Sequence, residues 1–120
     1  MPLVRIDVTG PKSPAHKRSL MAAARAAIIG HLAVDDSRVM VRVVETPAED
    51  VDMPPCRTSR LTFVDILLYE GRTPEMKAAM AAALRDSLAQ DPGIEASEVV
   101  IHFQDSSKVD LDVIPGGAGR

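Results

Sequence analysis

The 120-residue sequence is poor in aromatic side chains and has no excess of basic charge. Aromatic residues make up 2% of the chain, and the formal net charge is -3 with a pI near 5.5. A nucleic-acid-binding domain usually needs a basic surface and often uses aromatic side chains as stacking platforms. The composition therefore argues against nucleic acid as a partner.

The chain also lacks a cysteine pair, a leader sequence and a long apolar run. Its single cysteine, Cys56, has no second cysteine to pair with inside the chain. No apolar run approaches the roughly 20 residues needed to span a bilayer, and no basic-then-apolar leader is present. We therefore expect no membrane partner, and we expect the protein to reside in the cytoplasm.

Signatures of cofactor chemistry are missing as well. The sequence has no glycine-rich phosphate loop, no Cys/His cluster for zinc and no Ser-His-Asp arrangement with its local signatures. We therefore expect no cofactor and no metal ion. Hydrophobic residues at 46% and charged residues at 26% are typical of a globular domain with an aliphatic core.

The sequence does contain an internal repeat with a period of 60 residues. Shifting the chain by this period aligns its two halves without a gap, and the ungapped register is stronger evidence than the individual identities. The matched pairs are Val4 with Val64, Ile6 with Ile66, Ser13-Pro14 with Thr73-Pro74, Lys17 with Lys77, Arg25 with Arg85, Ser37 with Ser97 and Val39 with Val99.

Each half has the pattern of a strand, a helix and a second strand. Ser13 and Thr73 are suited to cap a helix, and the proline after each of them suits the first helical position, which needs no N–H. Apolar residues then recur at helical spacing in both halves. The predicted strands are residues 3–8, 38–44, 63–69 and 98–103.

Two such units predict an α/β (α+β) fold: a tandem β-α-β repeat that forms one four-stranded, mainly parallel sheet with two helices on one face. We expect a single domain over residues 1–120, with units at 2–46 and 62–106, a linker at 47–61 and a C-terminal tail at 107–120. Valine and isoleucine side chains continue on both strand faces. The uncovered face is therefore expected to pack against other subunits.

The start of the chain contains the most informative candidate residue, Pro2. Met1 before a proline is a favourable context for methionine removal, which would leave Pro2 with a free secondary amine. If Met1 stays, the Pro2 nitrogen is an amide and cannot act as a base. Burial and nearby cations would disfavour the ammonium form of a free amine and make it a base near neutral pH. The alternative is that Pro2 only assists processing.

Two short segments resemble the tautomerase superfamily. They are Pro2-Leu3-Val4-Arg5-Ile6 at the start of the first unit and Tyr69-Glu70-Gly71-Arg72-Thr73 after the first strand of the second. In 4-oxalocrotonate tautomerase (4-OT) both features lie in one unit. The fused two-unit subunit here is similar to malonate semialdehyde decarboxylase and cis-3-chloroacrylic acid dehalogenase. The resemblance implies a tautomerase/MIF-like fold, a homotrimer and one proline site per subunit.

The resemblance also implies roles for individual residues. Pro2 would be the general base or acid, and Arg72 would bind or polarise a substrate carboxylate or carbonyl. The second arginine of 4-OT falls on Met40, so Arg42 or Arg38 would supply the missing cation, because both are predicted on the strand face of Met40. Arg42 is preferred of the two.

His102 is a further candidate, because it falls where the dehalogenase has a water-positioning tyrosine. It would then contact a substrate or water. The alternative is a purely structural role, which is common for a lone histidine in a strand.

Together these roles imply a cofactor-independent isomerase that acts on an enol or unsaturated 2-oxo acid, with a small carboxylate as substrate. A proline-dependent decarboxylase or hydratase/dehalogenase of a small 3-carbon acid is an alternative. That chemistry needs a carboxylate, but the equivalent positions hold Arg38 and Val113. If Met1 is retained, the chain would instead be a non-catalytic trimeric scaffold.

Overall fold

The structure, a computed structural model, describes residues 2–32, 34–114 and 116. Over this part of the chain, four strands and two long helices alternate in two β-α-β units. In chain order they are β1 (Leu3–Gly10), α1 (Pro14–Leu32), β2 (Met40–Pro47), β3 (Thr62–Tyr69), α2 (Pro74–Gln90) and β4 (Val99–Ser106). No helix among the described residues is long and apolar enough to cross a membrane.

Both helices begin at the prolines that the sequence predicts. The Ser13 hydroxyl accepts a hydrogen bond from the His16 N–H at 3.0 Å, and the Thr73 hydroxyl accepts one from the Met76 N–H at 3.2 Å. Each cap satisfies an N–H that has no partner inside the first helical turn. The predicted helix starts are therefore confirmed.

Long-range contacts repeat with the same period as the sequence. Arg25 of α1 donates to the Val39 carbonyl at 2.8 Å, and Arg85 of α2 donates to the Val99 carbonyl at 3.1 Å. Each arginine thus ties its helix to the start of the following strand. An ion pair between helix and strand is also repeated, as Lys17–Glu45 and Lys77–Asp105, both at 2.9 Å.

The strands form one sheet in the order β2-β1-β3-β4. The pairs β1/β2 and β3/β4 are parallel, as expected within a β-α-β unit, and the two units meet through the antiparallel pair β1/β3. The predicted fold class is confirmed, with a mixed sheet that has two parallel pairings and one antiparallel pairing.

The core lies between one face of this sheet and the two helices. Alternate residues of β1 and β3 point into it, and each helix contributes one apolar stripe. The largest fully buried hydrophobic side chains of this core are Val4, Ile6, Leu20, Ile28, Val64, Ile66, Leu68, Met80, Leu84 and Leu88. We call the opposite face of the sheet, which neither helix covers, the open face.

The second strand begins later than predicted, which changes the position of Arg38. The Asp35 side chain accepts a hydrogen bond from the Ser37 N–H at 3.0 Å. The Asp35 carbonyl accepts one from the Arg38 N–H at 2.9 Å. These bonds close a short 3-10 turn over Asp36–Arg38, and β2 starts only at Met40. The prediction that Arg38 lies on the strand face of Met40 is therefore wrong.

Candidate active site

Three of the predicted site residues, Pro2, Arg38 and Arg72, lie at one end of the sheet. Because β3 runs antiparallel to β1, strands β3 and β4 finish at the same end of the sheet at which β1 and β2 begin. Pro2 directly precedes β1, the turn with Arg38 precedes β2, and Arg72 follows β3. We call this end of the sheet the proline end.

Pro2 is fixed in place by the sheet. It is buried, and its carbonyl oxygen accepts a hydrogen bond from the Met40 N–H at 3.2 Å. The next residue, Leu3, is paired with Met40 on one side and with Leu67 on the other. The backbone at Pro2 therefore lies at the junction of the two units, at the end of a strand that is hydrogen-bonded on both sides.

A tight turn brings Arg72 to the same end. The Glu70 N–H donates to the Ser106 carbonyl at 2.9 Å, and Gly71 has a φ of 115°, a left-handed conformation that glycine adopts without strain. The Arg72 side chain is partly buried and forms no ion pair with any described residue. Its guanidinium is available for an anionic ligand.

A cavity of about 180 Å³ opens on the open face next to the proline end. Its wall nearest Pro2 is largely apolar, and its far wall is charged. This volume suits a small acid better than a drug-sized ligand. The lining residues are Leu3, Val4, Arg5, Met40, Arg42, Asp65, Leu67 and Gln104.

The charged wall is part of a row that crosses all four strands. The register places Arg42, Arg5, Asp65 and His102 side by side on β2, β1, β3 and β4. Asp65 accepts from Arg5 at 3.4 Å and lies 2.9 Å from His102 Nδ1. Arg5 also pairs with Asp7 at 3.2 Å.

The structure separates the two candidates for the second cation. Arg42 lies on the open face and lines the cavity, whereas Arg38 lies in the turn before β2 and does not line it. Within the described residues Arg42 forms no ion pair. The preference for Arg42 over Arg38 as the second cation stays a prediction.

His102 stands at the far end of the charged row. Its side chain is 54% exposed, and its one side-chain partner in the described part of the chain is the carboxylate of Asp65. It does not line the cavity itself. The structure thus connects His102 to the cavity through Asp65.

Arg5 and Asp65 are cavity residues that the sequence analysis did not single out. They occupy equivalent positions of the repeat and face each other across β1 and β3. Opposite charges at equivalent positions of a repeat attract each other only if the two strands pair, and the sequence does not determine that β1 pairs with β3.

Hydrogen bonds from Ser37 lower the pKa of Asp35, in the turn before β2, and two further groups with shifted pKa values, His16 and Glu45, lie at the other end of the sheet. Burial, followed by the positive charges of Lys12 and Arg60, lowers the pKa of His16. A hydrogen bond from Lys17 is the largest cause that lowers the pKa of Glu45. Both groups are remote from the cavity. Among the described residues, no group of three or more His, Cys, Asp or Glu side chains is placed to hold a metal ion.

Comparison with solved structures identifies the same fold in several proteins. A malonate semialdehyde decarboxylase inhibited by 3-bromopropiolate is 24% identical with a TM-score of 0.82, and the alignment covers 98% of this chain and 91% of the decarboxylase. A wild-type fused 4-OT, a symmetric trimer, is 26% identical with a TM-score of 0.80 and coverage of 98% and 99%. Macrophage migration inhibitory factor from Toxoplasma gondii is 20% identical, with a TM-score of 0.74 and coverage of 98% and 97%.

A search of curated proteins gave no match. A family profile, in contrast, matches the sequence itself. The profile of a family described as tautomerase enzymes matches residues 52–111, which is half of the chain and includes β3, α2, β4 and Arg72. The fold over the whole chain and the profile over its second half lead to one conclusion: the chain belongs to the tautomerase family.

Proposed function

We propose that this protein is a tautomerase that isomerises an enol or an unsaturated 2-oxo acid, with Pro2 as general base and acid after removal of Met1. The observation that carries the proposal is the position of Pro2. It is buried directly before β1, at the same end of the sheet as Arg72, and the residue after it, Leu3, lines a cavity that contains Arg42, although Pro2 and Arg72 do not line this cavity themselves.

The free amine of Pro2 would move the proton. It would accept a proton from the hydroxyl or carbon of the substrate and return it to another atom, so that the substrate is isomerised without gain or loss of atoms. Burial and the cations at this end of the sheet both favour the neutral amine. The rigid pyrrolidine ring, held by the strand that follows, would keep the nitrogen aimed at one place.

Arg72 and Arg42 would bind the substrate and stabilise charge. A guanidinium binds a carboxylate through two parallel hydrogen bonds, which fixes orientation as well as charge. Negative charge grows on the substrate oxygen as an enolate forms, and a nearby cation stabilises it more strongly in a dry site. The apolar wall formed by Leu3, Met40 and Leu67 favours such a site.

We further propose that three copies of the chain assemble. The open face holds apolar side chains on both sides of the charged row, with Phe63 and Val100 on one side and Leu3 and Leu67 on the other. No described element of the chain covers this face. A 26%-identical fused 4-OT is a symmetric trimer. Neighbouring copies would cover the open face and exclude water from the cavity.

The test is a ketonisation assay with phenylenolpyruvate or 2-hydroxymuconate, followed by ultraviolet absorbance. Pro2→Ala, once processed, has a primary amine that is more mobile and differently basic, so we expect kcat/KM to fall by about 10²-fold or more. Mass spectrometry verifies the amino terminus of each preparation. If the wild type and the variant have equal kcat/KM, Pro2 has no part in the mechanism. If every form is inactive but trimeric, the scaffold alternative is correct.

A further inference from the structure

Asp65 is a charged residue of the cavity to which the proposed function assigns no role. Its side chain is only 21% exposed, yet the residue lines the cavity. Arg5 contacts Oδ2 at 3.4 Å, and His102 contacts Oδ1 at 2.9 Å. These two contacts from opposite sides hold the carboxylate group in one orientation.

The carboxylate keeps capacity for a further hydrogen bond. An ionised carboxylate has about four lone-pair sites, and Arg5 and His102 occupy two of them. A ligand in the cavity therefore meets a fixed acceptor. The other cavity residues with polar side chains are Arg5, Arg42 and Gln104, and the two arginines are donors only.

The charge balance of the row defines what this acceptor can bind. Arg5 is neutralised by Asp7 and Asp65, whereas Arg42 has no ion pair in the described part of the chain. A ligand carboxylate would thus be drawn to Arg42. A second anionic group beside Asp65 would be repelled, while a hydroxyl group would donate to it.

The spacing allows one small molecule to contact both side chains. Arg42, Arg5 and Asp65 are register partners on three adjacent strands. At about 4.8 Å per strand, the Cα atoms of Arg42 and Asp65 are about 10 Å apart with Arg5 between them, and all three residues line the same cavity. A carboxylate and a hydroxyl on neighbouring carbon atoms fit that interval.

We propose that Asp65 is a specificity residue whose carboxylate accepts a hydrogen bond from the substrate hydroxyl while Arg42 binds the substrate carboxylate. The cavity then selects 2-hydroxy acids, including the enol forms of 2-oxo acids, over acids that lack the hydroxyl. Arg5 and His102 are positioning residues that hold the Asp65 carboxylate. The inference rests on the proposed function and names the substrate class of the same site.

The test compares the binding of 2-hydroxybutyrate and butyrate, which differ by one hydroxyl group. The hydroxyl preference is the Kd of butyrate divided by the Kd of 2-hydroxybutyrate, measured by NMR titration of the full-length protein. A hydrogen bond to a charged group predicts a preference of about 10-fold or more in the wild type. Asp65→Asn should reduce the preference to near 1, and Asp65→Glu should restore part of it.

Two variants serve as controls, and a third tests the positioning role of His102. Asp86→Asn removes an exposed carboxylate on α2, outside the cavity lining, and should leave the preference unchanged. Arg42→Gln should weaken both ligands by a similar factor and keep their ratio. His102→Gln should lower the preference part of the way, because the carboxylate loses a partner that holds it.

Binding of these ligands requires no turnover and no proton transfer at Pro2. A wild-type preference near 1, or an undiminished preference in Asp65→Asn, would overturn the inference. If Pro2 has no catalytic role but the preference is present and depends on Asp65, the proposed mechanism fails while this assignment stands. The two failures are therefore distinguishable.

Discussion

Among single residues, Arg72 offers the clearest test of substrate recognition. It is partly buried at the proline end, forms no ion pair in the described part of the chain and follows a turn that depends on Gly71. Arg72→Ala should lower kcat/KM for an enol acid by about 10²-fold, the effect of one or two hydrogen bonds to a charged group. Arg72→Lys should recover only part, because lysine lacks the planar two-pronged donor.

Controls separate this loss from an effect on folding. Arg18→Ala removes an exposed arginine on α1 and should leave kcat/KM unchanged. Thermal unfolding should give similar midpoints for all three variants. If Arg72→Ala matches the wild type in kcat/KM, the role inferred for Arg72 is wrong.

At the residue scale the sequence predicted some of the candidate site and missed the rest. Pro2 and Arg72 were singled out because they lie in short recognisable segments, and Arg42 because side chains alternate along a strand, and the roles of all three stay predictions. Arg5 and Asp65 were missed, since their proximity depends on β1 pairing antiparallel with β3. A repeat predicts two units, but it does not determine which strands of the two units pair.

At the scale of elements, the first turn of α1 predicts a pH dependence of stability. Burial, then the charges of Lys12 and Arg60, lower the pKa of His16 below its ordinary value of 6.5, and the negative charge of Asp91 opposes them. The folded state therefore binds fewer protons than the unfolded state near that pH. Stability should be complete above about pH 6.5 and should fall as the pH drops through the pKa of the folded state.

Urea unfolding at about pH 8 and about pH 5.5 measures this dependence. His16→Gln should reduce the loss of unfolding free energy between the two pH values, because the variant has no titrating group at this position. His31→Gln, at the other end of the same helix, is the matched control and should retain the loss. An equal loss in the wild type and in His16→Gln would refute this assignment.

Element boundaries show where local sequence signals succeed. The helix starts were predicted because a capping hydroxyl and a proline are local signals, and both caps are present. The start of β2 was misplaced because Asp35 closes a turn with Ser37 and Arg38. An Asp-Ser pair before a β-branched run is compatible with either a turn or a strand, so the sequence did not distinguish them.

At the scale of the whole molecule, the open face predicts self-association. Light scattering should give a mass about three times that of the 12.9 kDa chain. Val44→Asp, which places a charge on the partly apolar open face, should weaken the assembly and reduce activity together. Ala82→Asp, on an exposed position of α2, should leave the mass unchanged. A monodisperse monomer at micromolar concentration would contradict the assembly.

The central claim is that the amine of Pro2 transfers the proton, and one measurement tests it directly. Protein with Met1 removed and protein with Met1 retained are prepared, verified by intact mass, and compared in the ketonisation assay. The retained methionine converts the Pro2 nitrogen to an amide without a basic lone pair. We predict that ketonisation occurs only with the processed protein and is almost completely absent from the unprocessed one. Equal rates from the two forms would contradict the account.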